Sequence, residues 1–212
     1  YETRVDFDRL REHRLARARQ SLEASGCGAF LLFDFYNIRY TTQTWIGGAL
    51  GDKMTRYALL TRDGDGPTLW DFGSAARHHK LYAPWLAEDD CRAGMLGLRG
   101  AIAPTAGLME DAVREIKGML TDAGLAGEPV GVDIVEPPFL FEMQRQGLTV
   151  VDAQQYLLDA RQLKSPDEIM LLTQAASMVD GVYQDIVEVL KPGIRENDIV
   201  ALANKRLYEM GS

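Results

Sequence analysis

Ala29-Phe30-Leu31-Leu32-Phe33 is an unbroken apolar run with Gly28 just before it and Asp34 just after it. A short stretch with no polar position to turn toward water reads as a strand buried on both faces. That one constraint demands a sheet with helices packed on either side. The sequence around it supplies both. Residues 8 to 25 carry Leu10, Leu15, Ala18 and Leu22 at helical spacing, with Arg9, Arg11, Arg14, Arg17 and Arg19 filling the remainder, and Ser25-Gly26 closes the pattern. The arginines read as a solvated helix face.

Further strands are expected over Arg56 to Thr61 and Thr68 to Phe72, joined as a hairpin through Arg62-Asp63-Gly64-Asp65-Gly66-Pro67. Ser74 stands where an N-cap would open a short helix over Ala75 to Leu81. Pro104-Thr105 introduces a longer helical pattern through Leu108, Val113, Ile116 and Leu120, which ends near Gly124. Val130 to Ile134 and Leu148 to Val151 read as strands on either side of a short helix that Pro137-Pro138 introduces. Helices alternating with strands, interrupted by one hairpin, give a mixed, mostly parallel sheet with helices on its faces. The fold class is therefore α/β over residues 1–160.

At Arg161 the character changes. Ser165-Pro166-Asp167-Glu168 combines a capping Ser, a Pro suited to the first helical position, and a Glu placed for a capping box. Ile169, Leu172, Ala176, Val179, Tyr183, Ile186 and Leu190 then follow at spacings of three and four, so one face of this helix is expected to be buried. Lys191-Pro192-Gly193 stops it, and Glu196 to Met210 repeats an amphipathic pattern. Two helices with apolar stripes and no following sheet lead to the expectation that a second domain continues past Ser212 or that a partner covers them. The opening Tyr1-Glu2-Thr3-Arg4, without Met or an apolar signal core, is likewise expected to lie inside a longer gene product.

Charge narrows the function. Among 212 residues, 23 Lys and Arg face 31 Asp and Glu, a formal charge of −8, which disfavours nucleic acid or an anionic membrane surface as a partner. No apolar stretch approaches the ~18 residues that a membrane helix needs. Cys27 and Cys91 are too few for a disulfide framework and read as buried thiols of a reducing compartment. His13, His78 and His79 form no metal-binding pattern, and consecutive residues of a helix point about 100° apart. Asp63-Gly64-Asp65-Gly66 is a turn between strands rather than a calcium loop. The Gly94-to-Gly100 run follows no strand-to-helix context for a phosphate loop, and Gly-x-Ser-x-Gly is absent.

One stretch concentrates chemistry. Asn37, Arg39, Tyr40 and Trp45 follow directly on the buried strand, where open α/β sheets place ligands, and offer a guanidinium fork, a phenol and a large apolar plate that can clamp a carboxylate. The same residues also suit packing: Arg39 on Asp34 or a carbonyl, Tyr40 and Trp45 beneath the following loop. Gly47 to Asp52 is expected to be mobile in isolation.

The strand with its Asn-Ile-Arg-Tyr segment, the hairpin ending in Leu69-Trp70-Asp71-Phe72, the Arg161-to-Ile169 junction and the Leu190-Lys191-Pro192-Gly193-Ile194-Arg195-Glu196 turn together resemble the pita-bread metallohydrolases: creatinase, prolidase and aminopeptidase P. The resemblance covers nearly the whole chain. It implies a creatinase-type N-terminal domain over residues 1–160, followed by the first two helices of a pita-bread catalytic domain over residues 161–212. In that family acidic and histidine ligands bind a pair of divalent metals, Mn, Zn, Co or Fe, and all of them fall beyond this sequence. No metal ligand, cofactor or catalytic residue is therefore expected here. What the resemblance implies is the dimerising, substrate-capping part of a cytoplasmic, homodimeric Xaa-Pro peptidase-type hydrolase acting on a small peptide or small carboxylate. Arg39, Tyr40, Trp45 and Arg56 are its expected substrate contacts. Within the family, Phe33-Asp34 to Tyr40 is most similar to the dimethylsulfoniopropionate lyase branch, and a non-catalytic peptidase-like module that binds peptides or histones is a further alternative.

Overall fold

The computed structural model describes residues 4–46, 53–95 and 104–211. The Gly47–Asp52 stretch lies outside them, as does most of the Gly94-to-Gly100 run. The chain divides into two compact units: Arg11–Leu163, and the segment up to Leu10 together with that from Lys164 onward. Residues 4–10 thus group with the later segment rather than with the α/β unit.

In the larger unit β1 (Ala29–Leu32), β2 (Tyr57–Thr61), β3 (Thr68–Asp71), β4 (Cys91–Ala93), β5 (Val130–Val132) and β6 (Val150–Asp152) form one sheet in the order β4-β3-β2-β1-β5-β6. β1 is antiparallel to β2, and β2 to β3, while β3–β4, β1–β5 and β5–β6 are parallel. This is the mixed, mostly parallel sheet read from the sequence. Successive strand residues serve opposite layers, as a pleated strand requires. Ala29, Leu31, Phe33, Tyr57, Leu59 and Trp70 pack with Val113, Ile116 and Leu120 of α4 (Leu108–Asp122) and Phe139 and Met143 of α5 (Pro137–Arg145). Phe30, Leu32, Ala58, Leu60 and Leu69 instead meet Ala18 and Leu22 of α1 (Phe7–Ser25) and Leu157 of α6 (Gln154–Gln162). Every residue of β1 is buried, as a strand covered on both faces must be.

The structure adds to the local expectations and corrects some of them. The residues after β1 form a helix, α2 (Phe35–Thr42), because Asp34 caps it: its carboxylate accepts from the backbone N–H groups of Tyr36 and Asn37. α3 (Gly73–Tyr82) starts one residue before Ser74, which therefore does not cap it; the cap position is Phe72, whose carbonyl accepts from Ala75 and Ala76. β4 and α6 were not anticipated. The arginines of α1 are not simply solvated. Arg11 lies 4.3 Å over the Trp85 ring, Arg14 lies 5.4 Å over Tyr40, Arg17 donates to the Ala160 and Asp159 carbonyls, and Arg19 donates to those of Gly64 and Asp65. Cys27 and Cys91 are buried free thiols, as expected, and burial pushes the Cys91 thiol up.

In the other unit α7 (Pro166–Val189) opens on the full capping box, with Ser165 Oγ accepting from Glu168 N at 3.2 Å and the Glu168 carboxylate accepting from Ser165 N at 2.9 Å. Arg9 grips Asp167 with two bonds of 2.8 Å. α8 (Glu196–Glu209) returns after a turn in which Gly193 has φ 89°, and Arg206 of α8 pairs with Asp185 of α7 at 2.5 Å. Within these residues the apolar stripe read from the sequence is left largely uncovered. Met178 and Val182 are covered, whereas Ile169, Leu172, Val179, Tyr183 and Leu190 are exposed. The helix carries apolar residues on more than one face, and only the one with Met178 and Val182 is covered within the described residues.

Two substitutions test this packing by urea unfolding. Ser165→Ala removes the side-chain half of the capping box and is expected to lower stability by about 1 kcal/mol. Gly131→Ala places a methyl 2.7 Å from the Phe30 ring and 2.8 Å from the Ala153 methyl, and is expected to cost about 1–3 kcal/mol by overpacking.

Candidate functional site

The chain leaves β1 toward β2, β3 and β4 on one side of the sheet and resumes at β5 and β6 on the other, so the order reverses between β1 and β5. Open sheets of this kind bind ligands at the carboxyl ends of such strands. Here Asp133, directly after β5, occupies that crevice. Its carboxylate accepts from Phe33 N at 2.8 Å, Asp34 N at 3.0 Å, Asn37 Nδ2 at 2.9 Å and its neighbour Ile134 N at 2.6 Å. Burial pushes the carboxyl up from the ordinary aspartate value, and these donors only partly offset it. The arrangement binds the end of β1 and the start of α2 to β5.

α2 ends in a left-handed residue, Gln43, with φ 52° and ψ 28°. The turn sends Trp45 back along the helix. Its ring lies 5.1 Å from the Arg39 guanidinium and 6.4 Å from the Tyr36 ring, at an interplanar angle of 29°. Tyr36 is 63% exposed and Trp45 43%, so a cation and two aromatic faces stand together at the surface. Such a group can take a carboxylate on Arg39 and an apolar body against the rings.

Beneath the turn lies a buried charged cluster. Arg56, 2% exposed, donates through Nη2 to Thr44 Oγ1 at 2.6 Å and to the Thr44 carbonyl at 3.0 Å, while its Nε lies 3.4 Å from Asp71 Oδ2. Asp71 also meets His79 Nε2 at 3.0 Å and accepts from Phe72 N. Desolvation draws the Arg56 guanidinium below its ordinary value, and Asp71 opposes it. From the other side Trp85 Nε1 donates to the Thr42 carbonyl at 2.8 Å.

The structure therefore brings together two of the residues singled out in the sequence, Arg39 and Trp45, and places the others differently. The buried Tyr40 donates its hydroxyl to the Ala160 carbonyl at 3.0 Å, beneath Arg14, and Arg56 is enclosed with Asp71 and Thr44. Asn37 is also buried and bonded to Asp133. Tyr36, Asp71, His79, Trp85 and Asp133 were missed. A strand ending in Asp, seen in both Leu-Trp-Asp and Gly-Val-Asp, is the signal that could have marked two of them. Among the described residues no three His, Cys, Asp or Glu side chains gather closely enough to hold a metal ion, so the metal pair implied by the resemblance has no ligand set there. No helix among them is long and apolar enough to cross a membrane.

No family model and no curated protein matches the chain. Solved structures do. The chain is similar to the Xaa-Pro dipeptidase from Bacillus anthracis, with a TM-score of 0.67 and 14% identity over 94% of this chain and 49% of that one. The recombinant prolidase from Thermococcus sibiricus gives a TM-score of 0.67 and 16% identity over 95% of this chain and 50% of that one. The dipeptidase PepE from Mycobacterium ulcerans gives 0.61 and 21% over 95% and 50%. At these identities the likeness establishes the fold, the α/β sheet and following helices expected from the sequence. The chain spans about half the length of these proteins.

Asp133 supplies a pH test. Because its folded value lies above its unfolded one, its contribution to stability is fully present below the ordinary aspartate value and is lost as pH rises through the raised one. The stability margin of the wild type over Asp133→Asn is therefore expected to be widest in acid and to shrink across that interval. Replacing one accepting oxygen by an NH2 group, which faces N–H donors, should itself cost about 1–3 kcal/mol. Urea titrations at a series of pH values measure both.

Proposed function

We propose that this chain is the N-terminal, substrate-capping part of a dinuclear-metal hydrolase of the Xaa-Pro peptidase type. The observation that carries the reading is the match of 94% of the chain to 49% of an Xaa-Pro dipeptidase, sheet and trailing helices included. In this reading a metal pair would be held by sequence outside the 212 residues, and would supply Lewis-acid activation of the scissile carbonyl and of the attacking water. The chain's own contribution is the exposed group of Arg39, Trp45 and Tyr36, with Arg39 taking the carboxylate of a small peptide and the rings its apolar body. The protein acts as a cytoplasmic homodimer, each N-terminal part reaching toward the partner's active site. Tyr40 and Arg56 serve the same surface from below: Tyr40 by fixing α2, Arg56 by fixing the turn that carries Trp45.

The lyase reading has no support in the proteins named above, and no observation favours a module without catalysis. The test is to assay the complete gene product on Xaa-Pro dipeptides and on dimethylsulfoniopropionate, with and without divalent metal. Metal-dependent hydrolysis of the dipeptides supports the reading. Cleavage of dimethylsulfoniopropionate alone, or of neither, overturns it. In the active protein Trp45→Ala and Arg39→Ala are each expected to raise KM about tenfold with an unchanged melting temperature, the loss of about 1.4 kcal/mol of binding. Steady-state kinetics on both variants checks this.

A further inference from the structure

Gln43 is the one non-glycine residue with positive φ among the described residues. A long side chain in the left-handed region is uncommon and persists where surrounding contacts over-determine it. Here the contacts are on both sides of the residue. The carbonyl before it, on Thr42, is held by Trp85 Nε1; the one after it, on Thr44, is held by Arg56 Nη2. The Thr42 and Thr44 hydroxyls close the same turn at 2.7 Å, and Arg56 reaches the second of them at 2.6 Å. Both donors are themselves fixed, Arg56 by the Asp71–His79 pair and Trp85 by Arg11 stacked on its face. The next residue is Trp45, the wall over Arg39.

We infer that Arg56 and Trp85 are positioning residues that clamp the left-handed turn at Gln43, and thereby preset Trp45 over Arg39 as a standing wall of the ligand surface. The clamp is built from four separate parts of the chain: Trp85 beyond α3, Arg56 just before β2, Asp71 at the end of β3 and His79 in α3. It acts on the bound geometry of a ligand through Trp45 and touches neither ligand nor reacting atoms. Its functional meaning rests on the reading of Arg39 and Trp45 as substrate contacts; the clamp itself does not.

The test separates the two. With 5-fluorotryptophan incorporated, the chain gives fluorine resonances for Trp45, Trp70 and Trp85, assigned with Trp45→Phe and Trp85→Phe. Thr44→Val, which removes the hydroxyl from the turn, Trp85→Phe, and Arg56→Lys, which keeps the charge beside Asp71 but loses the fork, are each expected to move the Trp45 resonance toward that of the free amino acid. The Trp70 resonance, from the core, should stay in place. A Trp45 resonance unmoved in Thr44→Val and Trp85→Phe overturns the clamp, and these two decide the matter if Arg56→Lys does not fold. In the complete protein Arg56→Lys and Thr44→Val should raise KM about threefold to tenfold at unchanged kcat, a loss of binding rather than of chemistry. If the resonance moves while KM stays the same in these variants and in Trp45→Ala, the clamp holds and the substrate reading falls.

Discussion

A strand buried on both faces has no wet side, and this removes the usual means of setting its register. In β1 and the residue that follows it the alternate sets are Ala29, Leu31 and Phe33 on one layer and Phe30 and Leu32 on the other, both apolar and both wholly covered. A slip by one residue would still bury hydrocarbon on each side. What opposes the slip is polar and sits at the strand ends. Asp133 takes the N–H groups of Phe33 and Asp34, while Gly28 donates to the Pro129 carbonyl and accepts from Arg62 N. Gly131 adds a steric constraint, since only a residue without Cβ clears Phe30 and Ala153. The placement of α2, and with it Arg39 and the turn to Trp45, follows from those few groups.

The sheet was legible because it is written in composition: apolar runs, glycine-rich turns and proline helix starts each have a local cause. The junction at Ser165 was legible to the atom, since a capping box is a matter of residues three apart. β4 and α6 were not. Cys91-Arg92-Ala93 is too short and too polar to show a period, and Gln154 to Gln162 carries only Leu157 and Ala160 as fully buried residues in the helix. Their identity comes from neighbours distant in sequence.

The candidate site was half legible for a related reason. Sequence proximity put Asn37, Arg39, Tyr40 and Trp45 in one group, but helical geometry separates them. Asn37 and Tyr40 face inward while Tyr36 and Arg39 face out, as spacings of three on a helix dictate. Trp45 rejoins the outward pair through the left-handed turn, which nothing in Thr-Gln-Thr announces. The groups that hold this turn come from the residue before β2, from β3, from α3 and from the segment after it, so their part in the site emerges only with the tertiary fold.

The arginine-rich helix carries one more implication. Arg17 and Arg19 are anchored on main-chain oxygens, those of Ala160 and Asp159 and those of Gly64 and Asp65, with no carboxylate as partner among the described residues. A peptide oxygen keeps its lone pairs at any pH that leaves the chain intact. In a protein with an acidic balance, these two grips stay closed in conditions where protonation would dissolve ion pairs such as Arg62–Glu128, and α1 stays moored to the hairpin turn and to α6.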